Sequence, residues 1–443
     1  MRIAIIGSGI AGHSAAICLH LAPARHDVTL YEREAQAGGH SATVEIDYDG
    51  ARIAVDTGFI VYNTLNYPNL TAFFDWAGVA TQQSDMSFSV SAGRGSFEWC
   101  GRDSGSVLGG LFAQKRNAVS PGFLKMLLDI RRFQNTARAD LAARTIGAGS
   151  LDSYLARHGF GERLRRDYLV PMGAAIWSTS PAAMMEFPAE SFIAFFDNHC
   201  LLQWNRPKWR TVTGGSRNYV AKIAAILGQR LRLASPVTRV RRTGDGVEVI
   251  EAGCATALYD KVVIATHAPQ ALALLADATP LERAILAPVR TAPNDVWLHR
   301  DTRLMPRRKA AWAAWNYLRE GGDATAKVAV TYWMNLLQGI DSRHPLFITL
   351  NPPFDPDPAL TFGRYSYAHP QFDAPALNAV KQLESIQGNG GVSFCGAWTA
   401  HGFHEDGMRS GLQAALRLGA LPPWRNMPAA PAGDAEAFER GMA

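Results

Sequence analysis

The chain has few cysteines, and they are not arranged in pairs. Its 443 residues include five cysteines, an odd number, and none of them belongs to a CxxC motif. This spacing supports neither a disulfide framework nor a zinc site, so we expect no bound metal. We expect reduced thiols in the core of a cytoplasmic protein, at Cys18, Cys100, Cys200, Cys254 and Cys395.

Long hydrophobic runs are also missing. No apolar stretch approaches the ~20 residues that a membrane-spanning helix needs. The first apolar run starts at Arg2 and leaves no room for the charged segment that opens a signal peptide. We therefore expect a cytoplasmic protein without a transmembrane helix.

Basic blocks interleaved with aromatic residues are absent, although the formal net charge is +5. Grooves that bind nucleic acid usually show such blocks, so nucleic acid is not an expected partner. The hydrophobic content of 47% allows a large core, and the length indicates two or three domains.

The most informative motif that is present lies at the N-terminus. An apolar, β-branched strand, RIAII, is followed directly by GSGIAG and then by a helix rich in small residues. In a strand-turn-helix unit, Gly7 permits the tight turn, Gly9 admits a pyrophosphate, and Gly12 allows close packing of helix on sheet. The turn residues that we expect at the phosphates are Gly7, Ser8, Gly9, Ile10, Ala11 and Gly12.

A carboxylate follows at the end of the second strand, HDVTLYER. Glu32, with Arg33 after it, stands where an acidic residue accepts hydrogen bonds from an adenosine ribose. Together the strand, helix and carboxylate predict a Rossmann-like dinucleotide site.

A second glycine turn favours FAD over NAD. Gly38, Gly39 and His40 follow Glu32 closely, and a Gly-Gly turn there adds backbone donors beside the same pyrophosphate. A plain hairpin turn is the alternative interpretation. No second GxGxxG followed by a helix occurs, so the sequence gives no sign of an NADPH domain.

These motifs, with DTGF, SPVTRV, KVVIATHA and the closing FCGAW and DGMRSGLQAA, resemble the flavin-containing amine oxidase superfamily. That superfamily includes protoporphyrinogen oxidases, carotenoid desaturases and a polyunsaturated fatty acid isomerase. The stretches VDTGFIVYNTLNYPNL, WRTVTGGSRNYV and GFHEDGMRSG resemble a bacterial subfamily linked to modified fatty acid metabolism, often encoded beside methyltransferases. The resemblance implies an α/β fold: a discontinuous Rossmann-like FAD-binding domain and a substrate domain of mixed sheet with a helical insertion.

The resemblance also implies cofactor contacts along the chain. Val237 would hold the adenine through its backbone, and Gly58 and Phe59 would lie by the flavin ring. Gly396 and Ala397 would approach the ribitol and phosphates. The N–H groups near Gly407 and Met408 would point at the flavin pyrimidine carbonyl, where a helix N-terminus stabilises the negative charge of reduced flavin.

Three positions depart from the superfamily pattern. Ala397 replaces an acidic residue that bonds a ribitol hydroxyl, and His40 replaces an arginine at the pyrophosphate. The stretch TAPNDVWLHRDT lacks the lysine that amine oxidases use to hold a water against the flavin. The last departure argues against amine oxidation.

The titratable residues of FCGAWTAHGFHEDGM are the candidate catalytic groups. Hydride removal from carbon needs a proton acceptor near the operating pH, which favours His404 over Glu405 and leaves His401 in reserve. Tyr62 is a further candidate, with Tyr367 and His369 behind it. In the alternative interpretation, Asp406 caps the helix and the other residues are solvated.

Domain boundaries follow from where the flavin motifs stop and restart. We assign 1–60, 206–275 and 386–425 to the FAD-binding domain, and 61–205 and 276–385 to the substrate domain. Within the latter, 107–205 is a helical insertion, and 426–443 is a weakly ordered tail. From Phe112 to Val170 the chain carries eleven basic and five acidic residues, a net charge of +6. Such an insertion is suited to peripheral contact with the inner membrane face, although a solvated helix face is an equal alternative.

The resulting hypothesis is an FAD-dependent oxidoreductase that removes a hydride from an apolar substrate, an unsaturated or methyl-modified fatty acyl chain. Dehydrogenation and double-bond isomerisation both remain open, and a methyltransferase is an expected partner in the same pathway. An amine or carotenoid-type oxidase is the alternative. A non-catalytic flavoprotein that docks partner enzymes at a membrane is the alternative from another class.

Overall fold

The computed structural model describes residues 1–101, 107–177, 179–203, 207–320 and 329–426. Apart from residue 426, the predicted tail at 426–443 lies outside the described residues. Within the described ranges, no helix is long and apolar enough to cross a membrane.

The strands are short and spread along the whole chain. In order they are β1 (Arg2–Ile6), β2 (Asp27–Tyr31), β3 (Thr43–Tyr48), β4 (Ala51–Asp56), β5 (Val61–Asn63), β6 (Thr81–Gln83), β7 (Phe88–Ala92), β8 (Phe97–Gly101), β9 (Trp209–Val212), β10 (Leu231–Arg232), β11 (Val237–Thr243), β12 (Gly246–Glu251), β13 (Ala257–Tyr259), β14 (Lys261–Ile264), β15 (Thr291–His299), β16 (Trp315–Arg319), β17 (Ala329–Trp333), β18 (Phe347–Leu350), β19 (Thr361–Pro370) and β20 (Val392–Phe394).

The helices are concentrated in the first half of the chain. In order they are α1 (Ile10–Leu21), α2 (Pro68–Trp76), α3 (Val107–Leu111), α4 (Pro121–Ala143), α5 (Leu151–Arg157), α6 (Glu162–Leu164), α7 (Val170–Trp177), α8 (Pro181–Met185), α9 (Ala189–Asn198), α10 (Arg217–Leu227), α11 (Ala268–Leu274), α12 (Pro280–Leu286), α13 (Met334–Gln338), α14 (Ala374–Val380) and α15 (His404–Arg417). A π-helical turn, Arg165–Leu169, joins α6 to α7.

The dinucleotide-binding part is a five-stranded parallel sheet in the order β10-β2-β1-β14-β20. Its central strands are apolar on both faces, as expected for a parallel sheet that helices cover from both sides. Helix α1 crosses from β1 to β2 and packs against α15. The predicted α/β fold with a discontinuous Rossmann-like domain is confirmed.

The second part is a seven-stranded mixed sheet in the order β19-β15-β18-β17-β16-β7-β8. Its core continues into the helices between α4 and α9, which form a helical module with many buried aromatic side chains. The mixed sheet and this module correspond to the predicted substrate domain and its insertion.

Side-chain packing divides the chain at somewhat different points from the sequence motifs. Helix α2, predicted in the substrate part, packs against α15 and joins the core beside the parallel sheet through Phe73 and Phe74. Helices α12 and α14 likewise pack with the parallel sheet rather than with the mixed one. The two parts therefore meet inside the predicted segments 61–205 and 276–385.

The cysteines are free thiols in the structure. Four of them are buried, whereas Cys254 is exposed. The expectation that all five belong to the core is wrong for Cys254, because it lies in the turn between β12 and β13.

Candidate active site

The first glycine turn connects β1 to α1 and leaves no room for larger residues at two positions. Gly7 has φ +102°, and a Cβ there would lie 2.9 Å from the Ala265 carbonyl oxygen. A Cβ on Gly12 would lie 1.9 Å from the Gly7 carbonyl oxygen. A Cβ on Gly9 would meet nothing within 4 Å. The backbone at Gly9 is therefore open to a ligand, as predicted from the motif.

The N-terminus of α1 next to this opening carries no side-chain cap and no acidic residue in its first turn. Its first intrahelical hydrogen bond runs from the His13 N–H to the Gly9 carbonyl, 2.9 Å. The N–H groups of Ile10, Ala11 and Gly12 precede that bond and are available to an anion. This arrangement fits the pyrophosphate of a dinucleotide.

Glu32 lies beside the same turn. Its Oε2 accepts hydrogen bonds from the Ser8 N–H, 2.9 Å, and from the Ser8 hydroxyl, 2.5 Å, and its Oε1 accepts from the Glu34 N–H, 3.0 Å. Arg33 instead points outward and pairs with Glu34. The carboxylate therefore stands at the carboxyl end of β2, where the sequence predicts the ribose contact.

The second glycine turn lies over the first. Gly38 donates its N–H to the Ser8 carbonyl, 3.1 Å, and a Cβ on Gly39 would lie 3.2 Å from the Gly9 Cα. The structure thus brings both predicted turns to one place. On the far side of Glu32, the Ser235 N–H donates to the Glu32 carbonyl, and the chain then enters β11 at Val237.

The segment DTGF contacts the second glycine turn through the backbone of His40. The Phe59 N–H donates to the His40 carbonyl, 2.7 Å, and a Cβ on Gly58 would lie 2.1 Å from that oxygen. Gly396, at the other end of the sheet, donates its N–H to the Ser410 hydroxyl, 2.9 Å, and Ala397 begins the short turn that leads to α15.

His40 belongs to a cluster of half-buried imidazoles that the sequence motifs did not reveal. Its ring centroid lies 5.6 Å from that of His267, 5.4 Å from that of Tyr367 and 5.8 Å from that of His369. Its Nε2 donates to the Ala368 carbonyl, 3.2 Å. Burial lowers the pKa of His40, and it lowers the pKa of His267 to about 4 and that of His369 to about 3. The cluster is therefore uncharged at neutral pH and does not supply the positive charge of the arginine that the resemblance implies at this position.

His404 lies at the edge of this cluster, but its environment does not suit a general base. Its ring stacks on Phe59 with the centroids 3.6 Å apart, and its Nε2 is hydrogen-bonded to the hydroxyls of Ser41, 2.9 Å, and Tyr219, 3.1 Å. Burial and the nearby His40 lower its pKa to about 3. The expectation of an imidazole that titrates near neutral pH is wrong at this position, because the ring is desolvated.

Glu405 turns away from the site and stabilises another helix. Its Oε1 accepts from the Asn69 N–H, 3.0 Å, and the Asn69 side chain, 2.6 Å, and its Oε2 accepts from the Leu70 N–H, 3.0 Å. These N–H groups belong to the first turn of α2, which has no cap of its own. Burial raises the pKa of Glu405 to about 7. Both earlier interpretations, a catalytic group and a solvated corner residue, are wrong, since the carboxylate is a buried cap for α2.

Asp406 serves the start of α15, as the alternative interpretation expected. It accepts the N–H groups of His401, 3.1 Å, and Phe403, 3.0 Å, and pairs with Arg409. The Gly407 N–H is used inside the helix, bonded to the Phe403 carbonyl, 3.0 Å. The contact predicted for the Gly407 N–H is therefore wrong, since the helix's first bond occupies it. The N–H groups that precede that bond are those of His404, Glu405 and Asp406.

Met408 and Tyr62 are parts of the core. The Met408 side chain is buried against α1, and its carbonyl accepts a hydrogen bond from the Ser14 hydroxyl, 3.1 Å. The Tyr62 ring packs edge-on to Phe74, 5.2 Å between centroids, away from the imidazole cluster. Its packing gives no support to a role as base.

His401 lies against an aromatic cluster between α9 and the start of α15, and most of that cluster is buried. Its ring centroid lies 5.9 Å from that of Phe195, which stacks on Phe403 at 5.1 Å and on His199 at 3.9 Å. Trp177 lies 4.7 Å from Phe195. Burial lowers the pKa of His199 to about 4, so this imidazole adds no charge at neutral pH.

Sequence reasoning missed several residues of the site. Ser41 and Tyr219 form hydrogen bonds with His404, and Asn69 donates hydrogen bonds to Glu405. The sequence analysis names none of the three as a candidate. Tyr219 belongs to the WRTVTGGSRNYV stretch, so its place in a motif was the available signal. His267 follows the strand of KVVIATHA and could have been found in the same way.

The site and fold together define a class. A parallel sheet whose first strand enters an uncapped helix through two stacked glycine turns, with a carboxylate at the end of the second strand, is the site of a dinucleotide-dependent oxidoreductase. The open space at Gly9 and the free N–H groups of α1 fit the pyrophosphate of FAD.

Comparison with known proteins names the family. The sequence model of the family described as flavin containing amine oxidoreductase matches residues 10–334, which is more than half of the chain. The chain belongs to this family; it is a flavin oxidoreductase with FAD as its cofactor.

Individual relatives differ in their substrates. The chain is 29% identical over 329 residues to a phytoene dehydrogenase from Streptomyces griseus, and the match covers 68% of this chain and 60% of that relative. The fold is similar to that of a CLA-producing fatty acid isomerase from P. acnes, with a TM-score of 0.68, 16% identity and coverage of 94% of this chain and 98% of that one. A putrescine oxidase bound to putrescine has a TM-score of 0.67 at 14% identity, with the same coverage of both chains. At these identities the two structures show the fold alone.

Proposed function

We propose that the protein removes a hydride from an apolar carbon chain, namely an unsaturated or methyl-modified fatty acyl chain. The bound FAD would supply the hydride acceptor. The observation that carries this proposal is the aromatic cluster at the corner between α9 and α15, formed by Trp177, Phe195, His199 and Phe403. Phe403 and the neighbouring His401 are its partly exposed members, and the other three are buried. A site bordered by aromatic rings and an uncharged imidazole favours an apolar chain over a charged substrate.

Amine oxidation is the alternative, and the sheet beside the site argues against it. None of the seven strands of the mixed sheet contains a lysine, the residue type that amine oxidases place there. A carotenoid-type oxidase is the other half of this alternative, and the similarity to a phytoene dehydrogenase favours it as much as it disfavours an amine substrate. Bleaching by the carotenoid and not by the fatty acids would identify it.

We assign proton acceptance to His401. Desolvation weakens His404 as a base, and Glu405 is used to cap α2, whereas the partly exposed His401 imidazole lies against Phe195 at the edge of the aromatic cluster. A positioned imidazole contributes about 10²–10⁴-fold as a general base. His401→Gln should therefore slow flavin reduction by about that factor and leave FAD binding unchanged.

Anaerobic flavin bleaching tests the proposed substrate class. The holoenzyme is mixed with defined unsaturated fatty acids, methyl-branched fatty acids, a carotenoid and primary amines, and loss of oxidised-flavin absorbance is recorded. We expect bleaching with an acyl chain, or a shifted double bond in the recovered lipid without lasting bleaching, as an isomerase would give. If a methyl-branched acyl chain bleaches the flavin, a methyltransferase that modifies unsaturated acyl chains would supply the substrate.

Two results would contradict the proposal. Bleaching by amines and not by lipids would identify an amine oxidase. Neither bleaching nor product with any of these compounds or with a bacterial lipid extract would favour a flavoprotein that docks partners without turnover.

A further inference from the structure

An exposed apolar row lies at the start of α4 in the helical module. Val119 is 79% exposed, Leu124 is 40% exposed and Leu128 is 72% exposed. Ser120 caps α4, so Val119 and Leu124 occupy the two positions that contact each other across a helix start, and Leu128 follows one turn later. These three side chains therefore form one continuous row, which we call the α4 apolar row.

The opposite face of α4 already has its partners. Phe123, Met126 and Phe133 are buried in the core of the helical module. The apolar row is thus not needed to attach α4 to the protein, and large aliphatic side chains with this exposure mark an interaction surface.

Basic side chains accompany the row. Lys115 and Arg116 are exposed in the short 3₁₀ turn, Lys115–Val119, that leads into it, and Lys125 is exposed beside Leu124. Within the described ranges of the chain, neither Lys115 nor Arg116 pairs with a carboxylate. The first turn of α4 contains no acidic residue.

Other charges on α4 are already used inside the module. Lys125 pairs with the buried Asp129, 3.1 Å, and the Arg132 guanidinium lies over the Phe160 ring, 4.3 Å from its centroid, and donates to the His158 carbonyl. The surplus positive charge beside the row therefore comes from Lys115 and Arg116 rather than from Arg132.

We propose that the α4 apolar row, with Lys115 and Arg116, docks the protein on an anionic lipid surface. Aliphatic side chains beside cations at one helix end match the apolar interior and negative headgroups of such a surface. A second copy of this chain would carry the same two cations against each other, which makes self-association the poorer fit. The row and the aromatic cluster at Phe195 belong to the same module, because α4 packs on α9.

Vesicle binding by the purified holoenzyme tests this inference. Sedimentation is measured with vesicles of phosphatidylglycerol and phosphatidylcholine and with vesicles of phosphatidylcholine alone. We expect binding to the anionic vesicles that weakens steeply with salt, because the attraction decays over about 8 Å at physiological ionic strength. Leu124→Ser/Leu128→Ser and Lys115→Gln/Arg116→Gln should each weaken binding by about tenfold or more.

Matched variants separate this surface from general hydrophobicity and charge. Leu258→Ser/Leu281→Ser removes two exposed leucines elsewhere, 38% and 44% exposed, and Lys222→Gln/Lys381→Gln makes the same change of net charge on α10 and at the end of α14. Both controls should bind as the wild type does. Equal binding to neutral and anionic vesicles, or equal loss in the controls, would overturn the proposal. So would a dimer in analytical ultracentrifugation that the Leu124/Leu128 variant dissociates, if vesicle binding is absent.

Discussion

Helices α1 and α15 pack against each other, yet their N-termini meet the same physical problem in opposite ways. Each helix begins with N–H groups that have no intrahelical acceptor. At α1 no side chain caps them, and the space at Gly9 stays open. At α15, Asp406 reaches back to Phe403 and His401, while Glu405 caps the neighbouring α2.

The difference shows how acidic residues at a helix start should be interpreted. An uncapped start without carboxylates is prepared for an external anion, here the FAD pyrophosphate. At a helix start rich in carboxylates, those carboxylates can instead accept hydrogen bonds from N–H groups of the protein itself. At α15 the crowding of titratable groups reflects helix capping more than catalysis.

The largest effect that would test the α1 side is expected at Gly12. Gly12→Ala would place a Cβ 1.9 Å from the Gly7 carbonyl oxygen, so the helix must move away from the turn. We expect a loss of at least about 3 kcal/mol of folding free energy, at the upper end for overpacking, with little soluble holoenzyme. Thermal unfolding and flavin content measure both.

Gly9→Ala is the matched control, because its Cβ would meet nothing within 4 Å of the protein. It should keep the fold and lose FAD affinity. Similar unfolding temperatures for the two variants would contradict the proposed difference between the positions.

On the α15 side, the largest effect is expected at Glu405. Glu405→Ala leaves the buried N–H groups of Asn69 and Leu70 without an acceptor, and we expect the free energy of unfolding to fall by about 2–4 kcal/mol. Denaturant titration of the FAD-free protein measures this change.

Asp406→Asn is the comparison for this helix start and should cost about 1 kcal/mol, since the amide oxygen can still accept an N–H. A Glu405 variant as stable as the wild type would return this carboxylate to the list of catalytic candidates.

FAD affinity distinguishes Glu32 from the acidic residues of α15. Glu32→Arg replaces a charged hydrogen-bond acceptor, worth about 1.5–3 kcal/mol, so FAD binding should weaken by about 10- to 150-fold. Quenching of flavin fluorescence measures the affinity.

Glu34→Arg is the control for the change of charge, because among the described residues the exposed Glu34 carboxylate pairs only with its neighbour Arg33. It should bind FAD nearly as the wild type does. Equal losses in both variants would mean that net charge, rather than the Glu32 contact, determines the affinity.

The two helices also predict opposite responses to pH. Burial lowers the pKa of His13 on α1 to about 3, and neither ring nitrogen has a partner among the described residues. Between pH 3 and 6.5 the unfolded chain therefore binds more protons at His13 than the folded chain does. The free energy of unfolding is therefore unaffected by His13 above pH 6.5 and decreases as the pH is lowered below 6.5. Glu405, with its pKa raised to about 7, contributes in the other direction, since its folded form retains a proton between about pH 4.3 and 7.

The free energy of unfolding of His13→Leu relative to wild type should accordingly be about 2 kcal/mol higher at pH 5 than at pH 8. Denaturant titrations at both pH values measure this, and the pH 8 pair isolates any effect of packing alone. A constant difference between the two proteins across this range would show that His13 does not titrate as burial requires.

The smallest effect is expected at His404. Because its pKa is lowered to about 3, His404→Gln should slow flavin reduction by less than about tenfold, much less than His401→Gln. Stopped-flow reduction with the substrate found by bleaching compares the two. A larger loss in His404→Gln would move the proton acceptor to the Ser41 and Tyr219 side of the site.

Much of the dinucleotide site was predictable because its determinants are local. Gly7, Gly9, Gly12 and Glu32 all lie in one strand-helix-strand unit, and the structure gives them the backbone positions that the motif predicts, whereas their contacts with FAD stay predictions. The predicted tail and the adenine contact of Val237 stay predictions. Around α15, the same local reasoning chose the wrong groups for catalysis.

The sequence by itself determined the class of cofactor, because a phosphate-binding turn needs glycines and free N–H groups within a few consecutive residues. Only the tertiary structure decided the roles of His404 and Glu405. A pKa depends on how deeply a side chain is buried and on which groups surround it. For these two residues the surrounding groups are Ser41, Tyr219, Asn69 and Leu70, which lie far away in sequence and meet them only when α2, α10 and α15 pack together.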